Sequence, residues 1–175
     1  NVAKRLIMKE KREKQFMKAY EEYSDAIFRY CYYRAFDREK AKDFTQETFF
    51  RAYKYLRDGN KIDNIRAFLY RTAKNIVIDE SRKKKSLSLD AITEKGFAPK
   101  VDYREKLETH FASQELIEVI NSLDEKYKDV VIMKYVEDLP TKEIAAVLGE
   151  TENNVYVRIH RGLEKIKEII KRQES

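Results

Sequence analysis

The chain has 175 residues, enough for one or two modest helical domains. Its 37 Lys plus Arg against 31 Asp plus Glu leave a net charge of +6 and a pI near 9.2, which favours polyanionic partners without naming one. A single cysteine excludes an intramolecular disulfide framework and a thiolate zinc site. No apolar run approaches the roughly 20 residues of a membrane span, and no signal-peptide core comes after the first residues, so a soluble, cytoplasmic protein without membrane insertion is expected.

Only four Gly and two Pro punctuate the chain, so its long periodic stretches read as helices and the expected class is all-α. Residues 1–18 carry seven Lys or Arg against two Glu and read as a frayed basic helix. Ser24 is expected to cap the next helix, with Ile27, Phe28, Cys31 and Tyr32 at core spacing, and Asp37 to open a third. Cys31 lies among Tyr30, Tyr32 and Tyr33, which suits a buried packing residue better than a nucleophile.

The third helix, about 38–57, has an apolar stripe of Ala41, Phe44, Thr48, Phe49, Ala52 and Leu56. On another side Asp43, Gln46, Glu47, Phe50 and Lys54 line up. Phe50 has two readings there: it packs under the N-terminal helix, as most helical aromatics pack, or it belongs to a docking face for a partner rich in Arg or Lys. Residues 57–64 form a polar loop, and a helix comes next over about 65–85 with Ile65, Phe68, Leu69, Thr72 and Ile76 inside. Arg71, Asn75 and Arg82 share a neighbouring face, with Lys74 close by. Terminal cations are favoured by the helix dipole alone, but an amide among them suits a base edge.

From Ser86 to about His110 the periodicity breaks and a linker is expected. Helices resume over about 112–123, with Leu116, Ile117, Ile120 and Leu123 inside, and about 125–136, with Tyr127, Val130, Val131 and Tyr135 inside. Pro140 and Gly149 then bracket a short helix. Thr151 caps a longer one in which Val155, Ile159, Leu163, Ile166 and Ile170 recur, while Asn154, Arg158, Arg161 and Lys165 run along another face. This pattern is a helix-turn-helix whose cationic second helix suits the major groove, although paired amphipathic helices also occur in domains that never touch DNA.

A Gly-rich phosphate loop, a His-rich cluster and a serine elbow are missing, and His110 and His160 lack an evident catalytic partner. The chain therefore reads as no enzyme, with neither cofactor nor metal.

The runs Ala41-Lys-Asp-Phe-Thr-Gln-Glu-Thr-Phe-Phe-Arg-Ala-Tyr53 and Ala67-Phe-Leu-Tyr-Arg-Thr-Ala-Lys-Asn-Ile-Val-Ile-Asp79, together with the closing helix-turn-helix, strongly resemble the bacterial extracytoplasmic-function (ECF) sigma factors of the sigma-70 family. The resemblance implies two small helical domains: sigma region 2 over 1–85 and sigma region 4 over 112–175, joined by a flexible region 3.2-like linker over 86–111. It implies a monomer when free, an RNA polymerase subunit that directs initiation by recognising minus-ten and minus-35 promoter elements, and control by an anti-sigma factor in a stress or envelope response. The implied partners are core polymerase, through the beta-prime clamp helices and the beta subunit, and promoter DNA.

Residue by residue, the docking helix carries over to Asp43, Gln46, Glu47, Phe50 and Arg51. The minus-ten pocket, which holds a flipped base, carries over to Asn75 with Lys74, Arg71 and Arg82 and to the loop residues Asp63 and Asn64. Minus-35 recognition carries over to Asn154, Tyr156, Arg158, His160 and Arg161. Tyr156-Val157 and Asn153-Asn154 depart from the family's usual residues, as does Gly59 in the loop, so the promoter sequence does not transfer. Pro140 in place of the usual Ser cap is expected to be structural only. A stand-alone helix-turn-helix regulator would normally need a dimerisation helix, and none is evident.

Overall fold

The structure, a computed structural model, describes residues 2–90 and 114–173. Among them every regular element is a helix: α1 (Val2–Ala35), α2 (Arg38–Arg57), α3 (Ile65–Asp90), α4 (Gln114–Asn121), α5 (Glu125–Val131) running into a π-turn (Ile132–Val136), α6 (Thr141–Leu148) and α7 (Glu152–Gln173). Helices α1 to α3 make one bundle and α4 to α7 another. Most of the expected linker, with His110, lies outside the described residues.

The two helices expected before residue 36 are one. Nothing between Lys18 and Ser24 breaks the backbone pattern, and Ala19 is buried while Phe16 and Tyr20 pack on α2, with ring centroids 5.3 Å from Phe16 to Tyr53 and 5.0 Å from Tyr20 to Phe49. Ser24 is thus an interior residue of α1. The helix stops at Phe36, which takes a left-handed conformation with φ 52°, and Asp37 caps α2 by accepting a hydrogen bond from the Lys40 amide at 3.0 Å. The inner stripe of α2 is as the periodicity predicts, with Ala41, Thr48, Phe49, Ala52 and Leu56 buried. Helix α3 is capped by Asn64, whose Oδ1 accepts from the Ala67 amide at 3.0 Å, and it continues past the expected end at Lys85 to Asp90.

In the second bundle the simple periodicity fails twice. Leu116, in the first turn of α4, is 38% exposed, and Val119 is buried in its place. Tyr135 is 53% exposed because the π-turn inserts an extra residue into the helix and rotates the positions beyond it. The same turn aims Ile132 and Met133 inward and delivers Glu137, whose amide bonds to the Ile132 carbonyl at 3.0 Å, to the junction between the bundles.

Gly149 ends α6 with φ 66°, and Thr151 caps α7 by accepting from the Asn154 amide at 3.2 Å. Along α7 the inward residues are Val155, Ile159 and Gly162, with Ile166 and Ile169 packed against the core; Ile170, expected inside, is 42% exposed. Helices α5 and α7 approach so closely at Gly162 that a β-carbon there would lie 2.9 Å from Val131 Cγ2. Gly162→Ala should therefore cost about 1 to 3 kcal/mol through overpacking, read as a lower urea midpoint. An unchanged midpoint would mean that the two helices separate without penalty.

Candidate functional site

Phe50 is 59% exposed, and its neighbour Phe49 takes the inward position against Phe16 and Tyr20. The packing reading of Phe50 is therefore excluded. Around its ring α2 presents Asp43, Gln46 and Arg51, all exposed, and half-buried Glu47, which Arg51 Nε meets at 2.6 Å. A groove of about 660 Å³ joins this face to α3, lined by Asp43, Glu47 and Arg51 from α2 and by Asp79, Glu80 and Arg82 from α3. Arg82, assigned by resemblance to the minus-ten contacts, thus shares a groove with the docking residues. Sequence reasoning did not single out Asp79 or Glu80; their spacing of three and four from Ile76, and of three from Asp79 to Arg82, is the signal that could have found them.

On the outer side of α3, Asn75 is exposed and Lys74 half-exposed. Asp63 and Asn64 are exposed, although the cap at Ala67 already engages the Asn64 oxygen. Arg71 is turned away from this row. Its guanidinium donates to the backbone carbonyls of Ala146 and, at 3.2 Å, Val147 at the C-terminal end of α6, where the helix dipole is negative.

In α7, Tyr156 (64% exposed), His160 and Arg161 stand free of the core, with His160 Nε2 3.4 Å from Glu164. Asn154 is exposed in the first turn. Arg158 faces back instead, donating to the Lys126 carbonyl and pairing with Glu150, so it braces the recognition helix against α5.

Arg71 belongs to a polar seam between the bundles that periodicity gave no reason to expect. Arg29 grips Glu137 with two hydrogen bonds of 2.7 and 2.8 Å, and Tyr70 Oη donates to the same carboxylate at 2.9 Å. The Glu137 side chain is wholly buried. Tyr30 Oη donates to Asp129 at 2.7 Å, and Arg34 Nε lies 3.0 Å from the same Asp129 oxygen without hydrogen-bond alignment, while its Nη2 reaches Glu125 at 2.8 Å. A fork from Arg66 to Glu143 closes the far end.

Burial opposes the Arg34 charge, but Asp129, Tyr30 and Glu125 more than offset it, so its pKa rises. Burial, then Glu137, holds the Tyr70 hydroxyl protonated as a donor. The Cys31 thiol, within the same core, is pushed up to about 12 chiefly by burial, which leaves it inert at neutral pH. Among the described residues no cluster could hold a metal ion, and no helix is long and apolar enough to cross a membrane.

Residues 19–87 match the family model of sigma-70 region 2, and residues 113–166 match that of sigma-70 region 4. Over 159 residues, 83% of each chain, the protein is 33% identical to the ECF RNA polymerase sigma factor SigW of Bacillus subtilis. The chain belongs to the ECF sigma factors.

A second relative, the RNA polymerase sigma factor SigV of Bacillus subtilis, is 28% identical over 73% of this chain and 74% of its own. The fold is that of the sigma factor RpoE solved with the anti-sigma factor NepR from Bartonella quintana (TM-score 0.70, 18% identity, 90% of this chain and 98% of that one). It is also that of CnrH solved with the cytosolic domain of CnrY (TM-score 0.67, 19% identity, 94% and 96%). As an ECF sigma factor the protein is a transcription initiation factor that serves RNA polymerase.

Removing one partner of a buried ion pair strands the other, at a cost of about 3 to 5 kcal/mol. Arg34→Ala should therefore detach the two bundles, so that a cooperative urea transition splits in two. A single transition at the wild-type midpoint would count against the seam as the coupling element.

Proposed function

We propose that this ECF sigma factor docks on the polymerase clamp through the α2 face around Phe50, and reads promoters with two separate grips. Asn75 and Lys74, with Asp63, Asn64 and Arg82 around them, receive the unstacked minus-ten strand. Asn154, Tyr156, His160 and Arg161 enter the major groove at minus-35. The observation that carries this reading is the solvent-exposed Phe50 ring among Asp43, Gln46, Glu47 and Arg51, on a helix whose opposite face is fully packed. An apolar ring gains nothing from water and is best explained by a partner that covers it.

The two promoter elements lie about 85 Å apart along B-DNA at about 3.4 Å per step, whereas a compact chain of this length has a radius of gyration near 16 Å. The seam must therefore open when the polymerase spreads the two domains, and Arg71 is released to join Asn75 only then. Each grip is weak alone, and the polymerase supplies effective concentration for the second. We assign Arg158 to holding the recognition helix. The solved neighbours are complexes with NepR and CnrY, which supports control of this chain by an anti-sigma factor that favours the closed form.

With purified core polymerase, Gln46→Ala combined with Phe50→Ala should lower affinity for the polymerase while leaving the fold intact. Undiminished co-purification would remove this face from the docking site. Asn75→Ala should weaken discrimination at one minus-ten base by about 1 to 3 kcal/mol, measured by initiation across promoter variants, and equal activity on all of them would refute the pocket. Arg161→Ala should weaken minus-35 binding and reduce its salt slope by about one unit if the contact is to phosphate.

A further inference from the structure

A second concave site lies between the N-terminal half of α1 and the C-terminal end of α2, with a volume of about 590 Å³. Its walls carry Lys4, Arg5, Lys9 and Arg12 from α1 and Arg57 from α2, against the single acid Glu13. The α1 cations recur roughly once per turn, about 5.4 Å apart along the axis. Lys4 and Arg5 make no ion pair among the described residues, and Lys9 reaches Glu13 only at 3.8 Å. The floor is different in kind: buried Leu56, half-covered Met8, and the Tyr53 ring, 37% exposed and held edge-on by Phe16 at 5.3 Å.

Position selects the ligand. One end of the groove opens on the loop after α2, because Arg12 Nη2 donates to the Gly59 carbonyl at 3.1 Å and Gln15 Nε2 to the Ile62 carbonyl at 3.1 Å. The α1 wall, residues 4–13, lies outside the stretch matched by the region 2 model, which begins at residue 19. A row of cations above an apolar floor with an aromatic ring is what an unpaired nucleic-acid strand requires: charge for a backbone charged at every unit, and a surface for an unstacked base. An acidic protein segment would satisfy the charge but would leave the junction with the loop unexplained.

We infer that this groove carries single-stranded promoter DNA onward from the loop, so that α1 holds the melted strand beyond the residues that read the minus-ten element. The inference rests on the reading of Asn75 and the loop as the minus-ten grip. The strand's phosphates run along Lys4, Arg5 and Lys9, and one base lies against Met8 and Tyr53. Arg12, tied to the loop, keeps the groove aligned with the pocket.

The test uses polymerase holoenzyme and two forked promoter templates. In one, the non-template strand ends at the minus-ten element; in the other it continues for several further nucleotides. The triple variant Lys4→Ala, Arg5→Ala, Lys9→Ala should bind the short template like wild type yet lose about tenfold on the extended one. Its salt slope there should fall by about two units, at about 0.7 per single-strand phosphate contact. A photocrosslinking amino acid at position 8 should mark the extension. Equal gain from the extension in variant and wild type would overturn the inference, as would crosslinks from position 8 to polymerase subunits alone. Failure of the minus-ten reading is separable: it appears as Asn75→Ala binding the short template like wild type, whatever the groove variant does.

Discussion

The buried carboxylate of Glu137 is the constraint on which the arrangement of the two bundles depends. Once dehydrated it needs compensation at close range, and it finds three hydrogen bonds, two from Arg29 in α1 and one from Tyr70 in α3. Asp129 repeats the solution earlier in the same stretch with Tyr30 and Arg34. Each acid comes from the helix-turn-helix side and each partner from the first bundle, so neither bundle is electrically complete in this packing without the other. A hydrophobic junction of similar size would bind without regard to alignment. A polar one fixes the register and, being costly when half-made, is held either fully closed or fully solvated.

In the proposed reading the two halves work apart, and that property suits such a protein. Solvated carboxylates and guanidiniums carry little penalty in water, whereas an exposed apolar junction would invite aggregation. The seam also engages Arg71 through the α6 carbonyls, which couples the helix-turn-helix to the α3 face beside Asn75. The proposed docking face of α2 lies on a different side of the first bundle and stays open in this packing, with Phe50 uncovered. In the proposed reading, contact with polymerase therefore precedes separation of the bundles and does not require it.

In the proposed reading the cationic groove under α1 extends the same division of labour. Helix α1 is long enough for its C-terminal half to carry Tyr30, Cys31 and Arg34 into the core while its N-terminal half stands over the end of α2. One rigid rod thus links the seam to the groove. The Phe16, Tyr20, Phe49 and Tyr53 cluster fixes the rod to α2 midway along.

Much of this was legible in the amino-acid order, because helical periodicity and capping are local physics. The stripe of α2, the Asp37 and Thr151 caps, the Gly149 stop and the sigma-factor motifs depend on neighbours within a turn or two. Most of the failures come from action at a distance, and one from a local change of helical phase. Ser24 does not cap because distant rings hold α1 continuous, Tyr135 is exposed because a π-turn shifts the phase, and Arg71 and Arg158 turn from the assigned DNA faces to backbone carbonyls 76 and 32 positions away. Phe50 had two readings until the fold put Phe49 inside. The sequence alone determined the all-helical class, most of the helical stretches and the resemblance to the family. Which charges pair across the bundles, and which stay free for a partner, was decided by tertiary structure, because the worth of a charge depends on its solvent and its neighbours rather than on its place in the chain.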